Sequence, residues 1–235
     1  MIDINCDLAE GEIYDERLMP LISSCNIACG GHFGDANTVE VAIQLAIKKQ
    51  VKIGAHPSYP DQESFGRKII ELDLIDLRKS LKSQILLVKE ITERLGGRLH
   101  HVKPHGALYN ELKYHTEKSK MLVELVKEID ENLILFVSPK SVVKNLAETQ
   151  LKIAIEGFAD RAYESDFSLV PRGENEAVLQ DKHSILERVK MMVNKGEIIS
   201  KEGDILHQKF DTICVHSDTQ NSLEILEYLK QNLNY

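Results

Sequence analysis

The sequence predicts an α/β fold in which parallel strands alternate with helices and close into a barrel. Short apolar runs alternate with amphipathic stretches of about 10 to 15 residues along almost the whole chain, as in βαβ units. The crossovers in such units are right-handed, so their strands are parallel. About seven or eight units favour a closed barrel over an open sheet. The 235 residues fit one barrel domain over 1–235, without a visible linker.

A second observation concerns the ends of the β-like runs, six of which carry an acid, amide, lysine or histidine close to glycine or proline. These places are Asp3–Asp7, Asn26–His32, Ile53–Pro57, His101–Gly106, Phe158–Arg161 and Ile213–His216. In a parallel barrel the carboxyl ends of the strands lie on one face, so their polar groups can converge on a single pocket. An enzyme is therefore the leading hypothesis.

The strands are predicted where apolar runs are bounded by polar or turn-forming residues. They lie at about 2–7, 26–29, 51–55, 99–103, 133–137, 151–155 and 212–215. The segment 57–67 is rich in Pro, Ser, Gly and Asp and is long enough to be a lid or a substrate loop. The segment 197–210 predicts a small hairpin that turns at Glu202-Gly-Asp204.

The helices are predicted from apolar positions three and four residues apart. They lie at about 14–24, from Asp35 or Asn37 onward, and at 73–95, 117–130, 140–149, 175–195 and 220–232. Asp35 or Asn37 can cap the second helix, whose apolar face is predicted to contain Val41, Ala42, Leu45 and Ala46. Gly96-Gly97 and Gly196 end two later helices.

Composition excludes several classes of function. The net charge of −8 is spread along the chain, which argues against nucleic acid as the main partner. We expect a cytoplasmic protein without a membrane span, because no basic leader precedes an apolar segment and no run of about 18 apolar residues occurs. The four cysteines lie in or beside apolar runs and are expected to be buried structural thiols.

The first strand carries three polar residues that share one face. Asp3, Asn5 and Asp7 alternate with apolar residues, so they are predicted to point into the barrel. Buried carboxylates need partners, which Lys103, Arg161 or a histidine can supply. The alternative is an edge strand with one solvated face.

Histidines follow two strands at equivalent places. His56 and His105 touch proline or glycine, and Asp7 and His32 lie at two other strand ends, which favours proton transfer near neutral pH. The alternative is a divalent metal bound by Asp7, His56 and His105, a set suited to zinc.

Basic residues near the predicted rim indicate an anionic small molecule. Lys103 can neutralise the carboxylates of the first strand or hold a phosphate or carboxylate. Arg161, beside Asp160, and Arg172 can grip such a group bidentately, whereas solvated surface pairs are the alternative. Glycines around His32 offer backbone amides to an anion before a helix. No P-loop, G-x-G-x-x-G or G-x-S-x-G motif is present.

Five blocks together resemble the LamB/YcsF family, over about residues 2–218. They are Ile4-Asn-Cys-Asp-Leu-Ala-Glu-Gly11, Asn26-Ile-Ala-Cys-Gly-Gly-His-Phe-Gly-Asp35, Ile53-Gly-Ala-His-Pro-Ser-Tyr-Pro-Asp61, His101-Val-Lys-Pro-His-Gly-Ala-Leu-Tyr-Asn110, and Phe158-Ala-Asp-Arg-Ala-Tyr163 with Ser168-Leu-Val-Pro-Arg172. The chain departs from the family pattern at Ala9, Gly31 and Ser217, small changes that leave the ionisable groups in place.

The resemblance implies a seven-stranded, TIM-like β/α barrel of the glycoside hydrolase/deacetylase type. It further implies opening of the 5-oxo-L-proline lactam to L-glutamate, with ATP as co-substrate, together with Mg²⁺, and with the 5-oxoprolinase subunits B and C as partners. A metal-dependent deacetylase or sugar hydrolase on the same barrel, and a non-catalytic binding protein, are the alternatives.

Site residues are assigned by side-chain type and position. Asp7, Lys103 and His105 are predicted to be catalytic, and no resident metal is assigned. Residues predicted to bind substrate or phosphate are Asn5, Asn26, His32, His56, Asp160, Arg161 and Arg172.

Overall fold

A computed structural model describes residues 2–233, in which seven parallel strands form a closed barrel. Residues 2–233 contain these seven and two further strands, in chain order β1 (Asp3–Leu8), β2 (Ser24–Ala28), β3 (Lys52–His56), β4 (Leu99–Val102), β5 (Ile134–Val137), β6 (Lys152–Phe158), β7 (Glu197–Ile199), β8 (Ile205–His207) and β9 (Thr212–Cys214). Strands β1 to β6 follow one another around the barrel, and β9 closes it between β6 and β1. The predicted TIM-like barrel is confirmed.

The remaining two strands, β7 and β8, form the antiparallel hairpin predicted from the sequence. Helices cover the barrel from outside: α1 (Asp15–Leu18), α2 (Ala36–Lys49), α3 (Leu74–Arg94), α4 (Gly106–Glu111), α5 (Thr116–Ile129), α6 (Val142–Ala147), α7 (Lys182–Lys195) and α8 (Ser222–Asn232).

The helix prediction needs correction at four points. The helix predicted over 14–24 is only α1 followed by a 3₁₀ turn, because Pro20 has no N–H to continue an α-helix. Helix α7 begins at Lys182, where the Asp181 carboxylate accepts a hydrogen bond from the amide of Ser184, rather than near 175. Helix α4 was not predicted. Val41, predicted on the apolar face of α2, is 66% exposed.

Strand β1 separates two layers of the core. Ile4, Cys6 and Leu8 are fully buried between barrel and helices, which places the alternating polar residues inside the barrel. On the outside, α3 contributes a buried stripe that includes Leu81 and Ile85. All four cysteines are buried free thiols, as the sequence predicts.

The barrel interior is polar and hydrogen-bonded. At its amino end Asp3 accepts hydrogen bonds from Ser24 and Thr212, and the Asn5 amide donates to Thr212 Oγ1 over 2.7 Å. The Asn26 amide nitrogen lies 2.8 Å from Asn5 Oδ1 and 2.7 Å from Asp7 Oδ1, donating to both. The inward orientation of the β1 polar residues is therefore confirmed, and the solvated edge strand is wrong. Within residues 2–233, no helix is long and apolar enough to cross a membrane.

Candidate active site

A cavity of about 410 Å³ opens at the carboxyl ends of the barrel strands. Its wall includes Asp7, His56, Lys103, His105 and Arg161, which come from strand ends spread over most of the chain. The sequence prediction that these side chains meet is confirmed. Arg172 also lines the cavity.

The floor of the cavity is an ion pair around Lys103. Its ammonium lies 2.8 Å from Asp7 Oδ1 and 3.0 Å from Glu156 Oε1, and all three side chains are buried. Burial opposes charge on Lys103, but the nearby Asp7, Cys214 and Glu156 raise its pKa well above the ordinary value. Burial likewise opposes charge on Asp7, but His56 and Lys103 hold its pKa well below the ordinary value. Asp7 is therefore a carboxylate and Lys103 an ammonium at neutral pH.

Asn5 and Asn26 lie below this floor. Both are fully buried in the barrel and neither lines the cavity. Asn26 donates to Asp7, and its own carbonyl oxygen lies 2.8 Å from Nε2 of His101. The structure therefore places these two amides where they orient Asp7, and their predicted contact with substrate stays a prediction.

His56 and His105 form a close pair at the side of the cavity. Nε2 of His56 lies 3.0 Å from Nδ1 of His105. The other nitrogen of each ring faces a backbone carbonyl, that of Lys103 for His56 and that of Phe65 for His105. Because a carbonyl only accepts, each of those nitrogens carries a hydrogen. The two rings thus turn lone pairs toward each other, an arrangement that is stable only with a cation, a proton or a metal ion, between them.

Glu10 completes this cluster, although no role was predicted for it from the sequence. Its Oε1 lies 2.8 Å from His32 Nε2, 3.4 Å from His105 Nδ1 and 3.7 Å from His56 Nε2. Burial and the neighbouring Asp7 raise the pKa of Glu10 to about 7. The sequence signal for Glu10 was its place in the first family block, just after the β1 strand end.

His32 lies behind the histidine pair. Its ring stacks on His105 with centroids 3.7 Å apart, and burial lowers its pKa far below the ordinary value, so it is neutral. Burial also keeps His105 neutral by lowering its pKa. Glu10, His32, His56 and His105 each offer one ligand atom within 4.8 Å of the others. Neutral imidazoles and a carboxylate are zinc-type ligands, so the cluster is compatible with a divalent metal.

The glycine loop around His32 packs against α2 and α3, and the anion site predicted there stays a prediction. The Asp35 carboxylate caps α2 by accepting hydrogen bonds from the backbone amides of Asn37 and Thr38. The amide of Gly30 donates to the carbonyl of Phe33. A Cβ on Gly31 would lie 2.4 Å from Gln84 and Ser58, so this glycine is required by packing.

The cavity wall also carries guanidinium groups. Arg161 is 6% exposed and donates from Nε and Nη2 to the carbonyls of Ala177 and Val170. Burial and the nearby Arg172 lower the pKa of Arg161 to about 10. Arg172 pairs with Asp218, for which no role was predicted from the sequence.

Asp160 is placed away from the cavity wall. It is fully buried and accepts hydrogen bonds from the backbone and ring of His216 and from the hydroxyl of Thr219. The His216 ring in turn stacks on Phe158 and lines the cavity. Asp160 thus fixes a ring of the wall, and its predicted contact with substrate stays a prediction.

A family model described as LamB/YcsF matches residues 2–235. The chain belongs to the LamB/YcsF family. A relative in Pyrococcus abyssi (strain GE5 / Orsay), named as the A subunit of 5-oxoprolinase, is 41% identical over 99% of this LamB/YcsF chain and 93% of its own length. A relative of the same name in Haemophilus influenzae (strain PittEE) is 39% identical over 98% of this chain and 96% of its own length.

Solved structures agree with the fold. This LamB/YcsF protein superposes on the lactam utilization protein from Thermus thermophilus with a TM-score of 0.91, at 31% identity over 98% of this chain and 94% of the other. A putative cellobiose-phosphate cleavage protein from Enterococcus faecalis V583 gives a TM-score of 0.60 at 12% identity, covering 97% of this chain and 89% of the other, which shows a shared barrel only.

Proposed function

We propose that this chain is the A subunit of a 5-oxoprolinase, which opens the lactam ring of 5-oxo-L-proline to give L-glutamate with ATP as co-substrate. Relatives with that name are about 40% identical over nearly the full chain. The observation in the structure that carries the proposal is the charged cavity. Its lining combines a buried carboxylate, an ammonium and histidines with guanidinium groups. A small lactam with one carboxylate matches this lining and a volume near 410 Å³.

The reaction requires both proton transfer and neutralisation of negative charge in the cavity. A lactam is a stable amide, and transfer of a phosphoryl group to its oxygen makes the carbon a better electrophile. Water then attacks the carbon, and the C–N bond opens as the ring nitrogen takes a proton, which gives an acyl phosphate. A second water hydrolyses this acyl phosphate to L-glutamate and inorganic phosphate, and ADP is released from the first step. We assign proton transfer to Asp7 and His105, and neutralisation of phosphate or carboxylate charge to Lys103 and Arg161. His56 and the loop around His32 shape the pocket.

The nucleotide site belongs to the assembled enzyme in this proposal. The sequence has no P-loop and no G-x-G-x-x-G motif, so the site for ATP and Mg²⁺ is assigned to the complex with subunits B and C. The relatives' designation as one subunit of an enzyme supports partner chains. Four free, buried thiols support the cytoplasm as the compartment, since disulfides are rare there.

The test compares two aspartates of one strand. Asp7→Asn removes the carboxylate that contacts Lys103 in the cavity, while Asp3→Asn makes the same change at the other end of β1, outside the cavity. With subunits B and C, ATP and 5-oxo-L-proline, we expect Asp7→Asn to lower kcat for glutamate release by at least about 10²-fold. Asp3→Asn should stay within a few-fold of the unmodified chain. Full turnover by Asp7→Asn would remove Asp7 from the mechanism.

A second candidate function is metal-dependent hydrolysis, as in a deacetylase or a sugar hydrolase. The observation that favours it is the lone-pair geometry of His56 and His105, with Glu10 and Asp7 beside them. A bound divalent metal would be held by these side chains and would activate water. A third candidate, a non-catalytic binding role, predicts that Asp7→Asn leaves the activity of the complex unchanged.

A further inference from the structure

The cavity mouth is crossed by a three-residue ion bridge that the proposed mechanism does not use. Arg67 Nη2 lies 2.6 Å from Asp218 Oδ2, and Arg172 approaches the same carboxylate from another loop. The three residues follow β3, β6 and β9, in the order Arg67, Arg172 and Asp218, and all three line the cavity. The bridge therefore joins three separate loops through one carboxylate.

The contacts of Asp218 have the geometry of oxyanion recognition. Arg172 donates from Nη1 to Oδ2 over 3.0 Å and from Nη2 to Oδ1 over 3.2 Å, a bidentate fork, and Arg67 adds a third N–H. Both oxygens of the carboxylate are engaged. A carboxylate or phosphate from outside would make the same contacts.

The charge around this carboxylate exceeds what it can neutralise. Arg161 lies on the same side of the cavity as Arg172, with its Nη1 donating to no acceptor within residues 2–233. Asp160, the nearest acid in sequence, is occupied by His216 and Thr219. Two guanidiniums thus share one partly exposed carboxylate and a third, Arg161, lines the same cavity, which leaves room for a second negative charge.

We propose that Asp218 fills an oxyanion subsite formed by Arg67 and Arg172 at the cavity mouth, and that the carboxylate or phosphate of an entering ligand displaces it. The identity of the ligand rests on the proposed function, since 5-oxo-L-proline carries a carboxylate and ATP carries phosphates. The guanidiniums of Arg67 and Arg172 attract the anionic end of the ligand, so that end lies at the cavity mouth. The reacting lactam then lies toward Lys103.

The test measures ligand binding to the full chain by calorimetry, with 5-oxo-L-proline and inorganic phosphate as separate probes. Asp218→Asn removes the competing carboxylate and keeps the side-chain shape. We expect this variant to bind at least one probe roughly tenfold more tightly, because the tethered competitor is gone. The probe whose affinity increases identifies the oxyanion that the subsite binds, either the substrate carboxylate or phosphate. Arg172→Gln should abolish the gain when combined with Asp218→Asn.

Glu174→Gln is the matched control. Glu174 pairs with Lys201 and lies in the same loop as Arg172, outside the cavity wall, and the substitution changes net charge by the same amount. Its affinities should match those of the unmodified chain. Arg67→Gln, at a side chain 43% exposed, is a second variant that should fold and weaken binding. Unchanged affinity for both probes in Asp218→Asn, or no binding to any variant, would overturn the proposal.

The two proposals fail separately. A tenfold gain in Asp218→Asn without glutamate release by the assembled complex would support the subsite and reject the 5-oxoprolinase. Glutamate release by the complex, with no gain in Asp218→Asn, would reject the subsite and keep the enzyme.

Discussion

Glu156 lies 3.0 Å from the ammonium of Lys103, so that one buried cation serves two buried carboxylates, Asp7 and Glu156. Glu156 projects from β6 and Asp7 from β1, so the ion pair joins strands on opposite sides of β9. Removal of the cation would leave two negative charges in the barrel without a counter-charge.

Lys103→Met is therefore expected to lower the free energy of unfolding by about 3 to 5 kcal/mol, measured by urea denaturation at pH 7. Lys103→Met combined with Glu156→Gln should recover part of that loss, because one of the stranded charges is gone. Lys52→Met, which breaks a surface pair with Asp3, is the control and should cost no more than about 1 kcal/mol. Equal losses for Lys103→Met and Lys52→Met would show that the buried cation is dispensable.

Asp160 is expected to make a pH-dependent contribution to the free energy of unfolding. The His216 contacts and the Thr219 hydroxyl outweigh burial and lower the pKa of Asp160 from 3.8 to about 2. A lowered pKa stabilises the fold above pH 4, and the stabilisation disappears as the pH falls through 2. Asp160→Asn should thus lower the free energy of unfolding by about 2 kcal/mol at pH 7 and by only about 1 kcal/mol at pH 3.

The comparison is made against the unmodified chain at each pH, with Asp76→Asn as control. Asp76 lies on the exposed side of α3, with a side chain 66% exposed. A difference between Asp160→Asn and the unmodified chain that stays constant from pH 7 to pH 3 would contradict the electrostatic account.

Gly54→Ala tests the packing of the barrel interior. A Cβ on Gly54 would lie 2.0 Å from Nε2 of His101, whose ring it would push away from Asn26. We expect a loss of at least about 1 to 3 kcal/mol in unfolding free energy, the usual range for overpacking. Gly173→Ala, where nothing lies within 4 Å, should have little effect. If Gly54→Ala is as stable as the unmodified chain, the His101 ring can adopt a second position in the barrel.

Chelation distinguishes the two candidate reactions. The chain is treated with EDTA, freed of chelator by gel filtration and assembled with subunits B and C, with Mg²⁺ supplied alongside ATP. For ATP-dependent lactam opening we expect glutamate release to be unchanged, with a proton as the cation between His56 and His105. Loss of activity that Zn²⁺ or Mn²⁺ restores would favour the metal-dependent alternative.

The barrel and the convergence of its strand ends could be predicted from the sequence because both depend on local patterns. Apolar runs, helical spacing and the polar residues after each strand are all visible in one dimension. The helix predicted over 14–24 was too long because Pro20 has no N–H, so the α-helix ends at Leu18 and only a 3₁₀ turn, Met19–Leu21, follows. Val41 was misplaced because the apolar stripe of α2 is centred on Val39, Ile43 and Ala46 instead.

Three residues of the candidate site had no distinguishing local signal. Glu156 alternates with apolar residues in β6 and, from the sequence alone, could face solvent as readily as Lys103. Arg67 and Asp218 lie 151 positions apart, in segments where charged residues are ordinary. Only closure of the barrel reveals their partners, because pairing depends on distances that sequence separation does not constrain.

The sequence by itself determined which elements form, which face of β1 is polar and which strand ends carry reactive side chains. Alternation and periodicity follow from backbone geometry that each segment has on its own. The tertiary structure decided that Lys103 lies between two carboxylates, that His56 and His105 turn lone pairs toward each other, and that Asp218 bridges two arginines. Charge states and hydrogen-bond directions are set by burial and by neighbours within a few ångströms, and these exist only once the seven strands have closed.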